Sequence, residues 1–133
     1  MTELNKLTYE SCKQFLALEE GDKVKIVKVY DGDTVTAAFI RNGIPVKFQC
    51  RLEGIDTPEL HSSEPHEKAL AVKARDALSA LTLNKVVTVK SPSLEKYGRI
   101  LCDLEVDGKS ACDEMMALHD VCYAYDGGSK KQW

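Results

Sequence analysis

The apolar positions of this chain follow two periods, and the points where the period changes divide it into elements. From Lys23 to Tyr30 the apolar residues are Val24 and Ile26, then Val27 and Val29, an alternation with a slip of one that marks a strand carrying a bulge. Thr34 to Arg41 alternates through Val35, Ala37 and Phe39, and Asn42-Gly43 behind it is a strong hairpin signal. Ile44 to Leu52 puts Ile44, Val46, Phe48, Cys50 and Leu52 on one face and Lys47, Gln49 and Arg51 on the other. Arg51 is therefore expected to point away from the core. After a polar loop at 60–66, Leu70, Ala74, Ala77, Leu78 and Leu81 recur at helical spacing and predict a helix from about Glu67 to Leu83, ending at Asn84. Lys85 to Lys90 is a β-branched run that predicts a strand, and Ser91 to Gly98 reads as a loop. Arg99 to Val106 alternates with Ile100, Cys102, Leu104 and Val106 inward, which turns Arg99 outward as well. Ser110 followed by Asp113 opens a short helix with Ala111, Met115 and Leu118, and Tyr123 and Tyr125 share one side of an extended piece. Upstream, Cys12, Phe15, Leu16 and Ala17 predict an amphipathic helix over 8–20, closed by Gly21.

Three strands, a helix, two strands and a helix predict an α+β domain: a five-stranded, partly open β-barrel of the OB type with packed helices. At 133 residues the chain has room for one such core. Residues 1–22 are expected to form a helical extension to a barrel domain spanning 23–133.

The stretch from Arg51 to Glu59 carries the densest chemistry. It reads Arg-Leu-Glu-Gly-Ile-Asp-Thr-Pro-Glu, with a guanidinium, a hydroxyl and the carboxylates of Asp56 and Glu59 close together in sequence. Pro58 fixes its own φ and biases Thr57 toward an extended conformation, so the segment is a stiff strand exit. On a regular strand Arg51 and Asp56 would face opposite ways; they converge only if the strand kinks, and Gly54 is where a kink is expected. One such cluster is most simply a solvated turn. Here it is joined by Asp31-Gly32-Asp33-Thr34, by Glu95-Lys96-Tyr97-Gly98-Arg99, and by Tyr123 and Tyr125. Together these are the groups a phosphodiester site needs: planar cations for the phosphate, hard oxygens for a divalent ion, a carboxylate to take a proton and rings to stack on bases.

Charge and cysteine usage refine this picture. The net charge of −3 is accounted for by residues 1–22, where Lys6 and Lys13 face Glu3, Glu10, Glu19, Glu20 and Asp22. A polyanion must then be drawn by local arginines and a bound cation, not by a global field. Five cysteines with no CxxC spacing fit neither a zinc knuckle nor a disulfide framework, and Cys50 and Cys102 fall in phase with core residues. An intracellular, cytoplasmic location follows as an expectation. No apolar run is long enough to cross a bilayer, and no membrane partner is expected.

In this order and spacing, Asp31-Gly-Asp-Thr34, Arg51 through Asp56-Thr-Pro-Glu59, Lys96-Tyr-Gly-Arg99 and the pair Tyr123 and Tyr125 resemble the staphylococcal nuclease-like (thermonuclease) family, over about residues 23–125. The resemblance implies a calcium-dependent phosphodiesterase that cuts DNA and RNA and leaves 3′-phosphates. A single Ca²⁺ would be held by the carboxylates of Asp33 and Asp56 and the backbone carbonyl of Thr57. Glu59 would orient or deprotonate the attacking water, and Arg51 and Arg99 would clamp the phosphate. Lys96, Tyr97, Tyr123 and Tyr125 would contact the substrate, with single strands preferred. Asp31 looks like a turn or supporting residue. Glu95 stands where the bacterial enzyme has Asp. A catalytically inactive domain that binds nucleic acid or protein is the alternative; retention of all the acidic and basic positions weighs against it.

Overall fold

The computed structural model describes residues 2–12, 16–95, 98–125, 128 and 133. Its elements run α1 (Thr2–Asn5), β1 (Lys23–Asp31), β2 (Thr34–Arg41), β3 (Ile44–Leu52), β4 (Ile55–Asp56), α2 (Pro65–Thr82), β5 (Val86–Leu94), β6 (Ile100–Val106), β7 (Lys109–Ser110), α3 (Ala111–Met116) and β8 (Tyr123–Ala124). Antiparallel pairing orders the sheet β3-β2-β1-β5-β6, and a parallel pairing of β3 with β6, Cys50 opposite Ile100 and Leu52 opposite Cys102, joins its two edges. The result is a closed five-stranded mixed barrel with helices against it: the α+β, OB-type fold is as expected, and the β3–β6 pairing closes a barrel that was expected to be partly open. Closure pairs the last three residues of β3 with the first three of β6 and so covers the edges there.

The local signals act as expected in most places. The slip in β1 is realised as register shifts between Ile26 and Lys28 and between Val29 and Asp31. Asn42 and Gly43 both take positive φ (53° and 77°), the pair of values a tight β2–β3 hairpin with the native strand twist requires. Ser110 caps α3, its hydroxyl accepting from the Asp113 amide. Helix α2 starts two residues earlier than expected because Pro65 is tolerated in the first turn and Glu64 caps it, accepting from the amides of His66 and Glu67. Leu18, Ile26, Leu52, Leu78, Ile100, Leu104 and Met115 are fully buried, so α2, α3 and the segment before β1 share the barrel core. No helix among the described residues is long and apolar enough to cross a membrane.

Three expectations are corrected. No helix is found among the described residues of 8–20, where 13–15 lie outside the description. Instead Thr8 and Ser11 exchange side-chain to amide hydrogen bonds in a turn, and Gly21 and Asp22 bond to Val89. Backbone pairing with β5 and burial of Leu18 outweigh a weak helical pattern. The outer half of β3 is not core: Ile44 is 60% exposed, because the β2–β3 hairpin runs past the end of the barrel. Finally, β5 continues to Leu94 where a loop was expected, Ser91 taking φ of 53° at a register shift against β6.

One contact fixes the turn between β1 and β2. A Cβ on Gly32 would stand 2.7 Å from the Cβ of Ala74 on α2 and 2.8 Å from Thr57 Oγ1. Only glycine lets the turn lie this close to the helix. Gly32→Ala is therefore expected to lower stability by about 1–3 kcal/mol through overpacking. Urea denaturation measures it, and an unchanged midpoint would show that the turn can move off α2.

Candidate active site

The turn that Gly32 presses against α2 carries Asp31 and Asp33, and the exit of β3 carries Arg51. Gly54, with φ of 80°, reverses the chain after Leu52 and brings β4 back beside that exit. This is the kink the sequence required. Arg51 and Asp56 meet, Nη2 donating to Asp56 Oδ1 at 3.3 Å and to Asp33 Oδ2 at 3.3 Å. Nη1 donates to the carbonyls of Leu52 (2.9 Å) and Ile55 (3.1 Å). Four acceptors thus hold one guanidinium whose side chain is only 12% exposed. Arg51 does not simply point out of the core: it is the counter-charge of two buried carboxylates.

A cleft of about 300 Å³ opens beside this group, lined by Asp31, Asp33, Arg51, Thr57, Glu59 and Arg99 together with Tyr30, Thr34, Gln49 and His61. It collects residues from β1, β2, β3, the loop after β4 and the entry to β6. Arg99 is held by a bidentate pair to Glu95, Nε to Oε1 at 2.8 Å and Nη2 to Oε2 at 3.1 Å, which keeps Glu95 below the usual carboxylate range. The Glu59 amide donates to Glu67 Oε2 on α2 at 3.2 Å, tying the loop to the helix.

Asp56 does not line the cleft; it lies behind Arg51, where the Tyr123 hydroxyl donates to its Oδ2 at 2.8 Å. The Tyr125 ring lies against the Arg51 guanidinium, 5.8 Å from its centroid. Both tyrosines reach this position because β8 pairs with β4. Of the expected site residues, then, Asp33, Arg51, Thr57, Glu59 and Arg99 share one cleft wall, and Asp56, Tyr123 and Tyr125 back it. Lys96 and Tyr97 lie outside the described residues.

Three oxygen groups here suit a hard cation in kind. Asp33 and Asp56 are buried carboxylates, and Thr57, expected to offer its backbone carbonyl, also carries a buried Oγ1 hydroxyl with no hydrogen-bond partner among the described residues. Negative charge is also crowded: burial, then the hydrogen bond and charge of Asp33 and, more weakly, the charge of Glu59 push Asp31 up to about 7. Among the described residues no three His, Cys, Asp or Glu stand together as a ready metal cage. A cation on this set would complete its shell with water or phosphate oxygens.

Tyr30 and Gln49 were not singled out from sequence, and His61 was weighed there with His66 only as a metal ligand, for which no partner stands at metal spacing. Gln49 had a usable signal, since it lies two residues before Arg51 on the same face of the strand. His61 and Tyr30 had none beyond their nearness to Glu59 and Asp31.

Compared with known proteins, residues 49–125 match the family model described as staphylococcal nuclease homologue. The chain is also 29% identical over 123 residues to an uncharacterized protein of Methanocaldococcus jannaschii, a match that covers 77% of this chain. It spans 58% of that relative's length.

Proposed function

This chain belongs to the staphylococcal nuclease homologue family, and we propose that it is a Ca²⁺-dependent phosphodiesterase acting on DNA and RNA and leaving 3′-phosphate ends. The observation that carries the proposal is the single cleft onto which Asp33, Arg51, Glu59 and Arg99 converge from separate parts of the chain. Asp33, Asp56 and Thr57 would hold the ion. When bound, Ca²⁺ would neutralise charge on a phosphate oxygen and leave coordination positions for water.

The chain's own residues supply the rest. Phosphoryl transfer needs negative charge stabilised on the phosphate and a water aimed in line with the leaving oxygen. Arg99 presents a guanidinium at the cleft with one side satisfied by Glu95, so it is orientated before substrate arrives. Arg51 adds a second cation, kept in place by its two carbonyl contacts whichever partner its Nη2 serves. Glu59 is the exposed carboxylate of the cleft wall, anchored at its own backbone by Glu67, and takes the role of proton acceptor from water. Tyr123 and Tyr125 support Asp56 and Arg51 from behind, so their removal acts on the ion and the clamp.

Incubating end-labelled single-stranded DNA and RNA with the protein, in Ca²⁺ or in chelator, tests the reading. Chelator-sensitive shortening to 3′-phosphate products is expected; binding without cleavage would instead support the non-catalytic module. Glu59→Gln should lower turnover by about 10²–10⁴-fold while changing Ca²⁺ affinity little. Loss of both together in a calorimetric titration would move Glu59 among the ion's ligands.

A further inference from the structure

We propose that Tyr30 and His61 form a stacking ledge for a nucleobase of a single-stranded substrate, beside the phosphate held in the cleft. The proposal rests on the nuclease reading above and adds a binding subsite to it.

Tyr30 immediately precedes Asp31 at the end of β1, and His61 follows Glu59 by two residues on the loop leading to α2. Distant in sequence, they meet at the cleft, their ring centroids 5.7 Å apart with planes inclined at 45°. A hydrogen bond between the Tyr30 hydroxyl and His61 Nε2 ties the two together. Among the described residues these are the aromatic rings that line the cleft itself. Both are exposed, so neither contributes to the core, yet each is held in one orientation by the other. An exposed aromatic surface fixed at the edge of the cleft that Arg51 and Arg99 line presents a face on which any base can stack without sequence preference.

Tyr123 of β8 and Tyr125 just beyond it are committed elsewhere. Tyr123 stacks on Trp133, with centroids 4.8 Å apart and planes at 24°, while its hydroxyl holds Asp56. Tyr125 lies on Arg51 and bonds through its hydroxyl to the Gly128 carbonyl. The Tyr30–His61 ledge is thus the ring surface that a nucleotide joined to the bound phosphate meets first from within the cleft.

The test compares steady-state cleavage of an intact single-stranded oligonucleotide with strands carrying one abasic site, walked along the positions next to the cut. Wild type comes first: if it cuts no strand, the nuclease reading fails and the ledge falls with it. If it cuts, His61→Ala and Tyr30→Leu are each expected to raise KM for the intact strand about tenfold and to move kcat little. An abasic site at one position should raise the wild-type KM by a similar factor, and the two variants should lose nothing further on that strand. Tyr30→Phe, which keeps the ring and removes the hydrogen bond, should fall between. Unchanged KM in both variants would overturn the ledge. So would equal losses on intact and abasic strands, or a loss confined to kcat with a displaced pH profile, which would mark His61 as a proton-transfer group.

Discussion

Replacing Arg99 by Ala is expected to lower kcat by about 10³-fold and to leave stability almost unchanged. The guanidinium contributes charge at the cleft, and among the described residues its hydrogen bonds go to Glu95, in a pair whose side chains are 28% and 15% exposed. Partly exposed pairs of this kind contribute little to folding, so the denaturation midpoint should stay within about 0.5 kcal/mol of wild type. Lysine at the same position should recover part of the rate, since it restores the charge without the planar bidentate geometry. Turnover on a labelled single strand beside a urea melt reads both quantities. Near-normal turnover in Arg99→Ala would remove Arg99 from the phosphate clamp.

Arg51→Ala should behave differently, losing both turnover and stability. From sequence alone Arg51 looks like an outward residue whose removal the fold would tolerate. Its four acceptors predict otherwise: truncation leaves Asp33 and Asp56, with side chains 8% and 2% exposed, without their shared cation. Breaking a buried pair from one side costs about 3–5 kcal/mol. Asp56 keeps the Tyr123 hydroxyl, which softens the loss. If the same two carboxylates are the ion's ligands, Ca²⁺ supplies the missing positive charge and should return more stability to Arg51→Ala than it gives to wild type. A variant that melts with wild type would mean that the carboxylates are well solvated. Equal stabilisation of both proteins by Ca²⁺ would separate the ion from Asp33 and Asp56.

The fold was legible wherever a local rule sets the geometry. The β1 bulge followed from a one-residue slip, the β2–β3 hairpin from Asn42-Gly43, and the start of α3 from Ser110. Each is decided within a few residues, so sequence carries the whole cause. Failures came where tertiary contacts decide. Residues 8–20 had an uneven apolar stripe, and pairing of Gly21 and Asp22 with Val89 set that region's structure instead. Alternation in β3 was real, but whether a face is buried depends on what lies over it, and Ile44 stays 60% exposed. The parallel seam of Cys50 with Ile100 joins segments about fifty residues apart and leaves no local trace.

The site divides the same way. Its membership was legible because these residue types and spacings are rare in combination, and the structure brings Asp33, Arg51, Thr57, Glu59 and Arg99 to one cleft; Gly54 was readable as the kink that lets Arg51 reach Asp56. What Arg51 does there was not. A guanidinium on a strand face gives no sign that two carboxylates and two carbonyls will close around it, since those acceptors come from the β1–β2 turn, the end of β3 and β4. Tyr30 and His61 were missed for a related reason: their meeting depends on how the loop after Glu59 folds back over the end of β1.

One Ca²⁺ titration, followed by calorimetry and by cleavage of a single strand in the same buffer, tests the central claim most directly. The account predicts that binding and turnover rise together with a common midpoint, and that Asp33→Asn moves both to higher Ca²⁺ concentration in step. Full turnover in chelator, or a binding isotherm that Asp33→Asn leaves where it was, would contradict it.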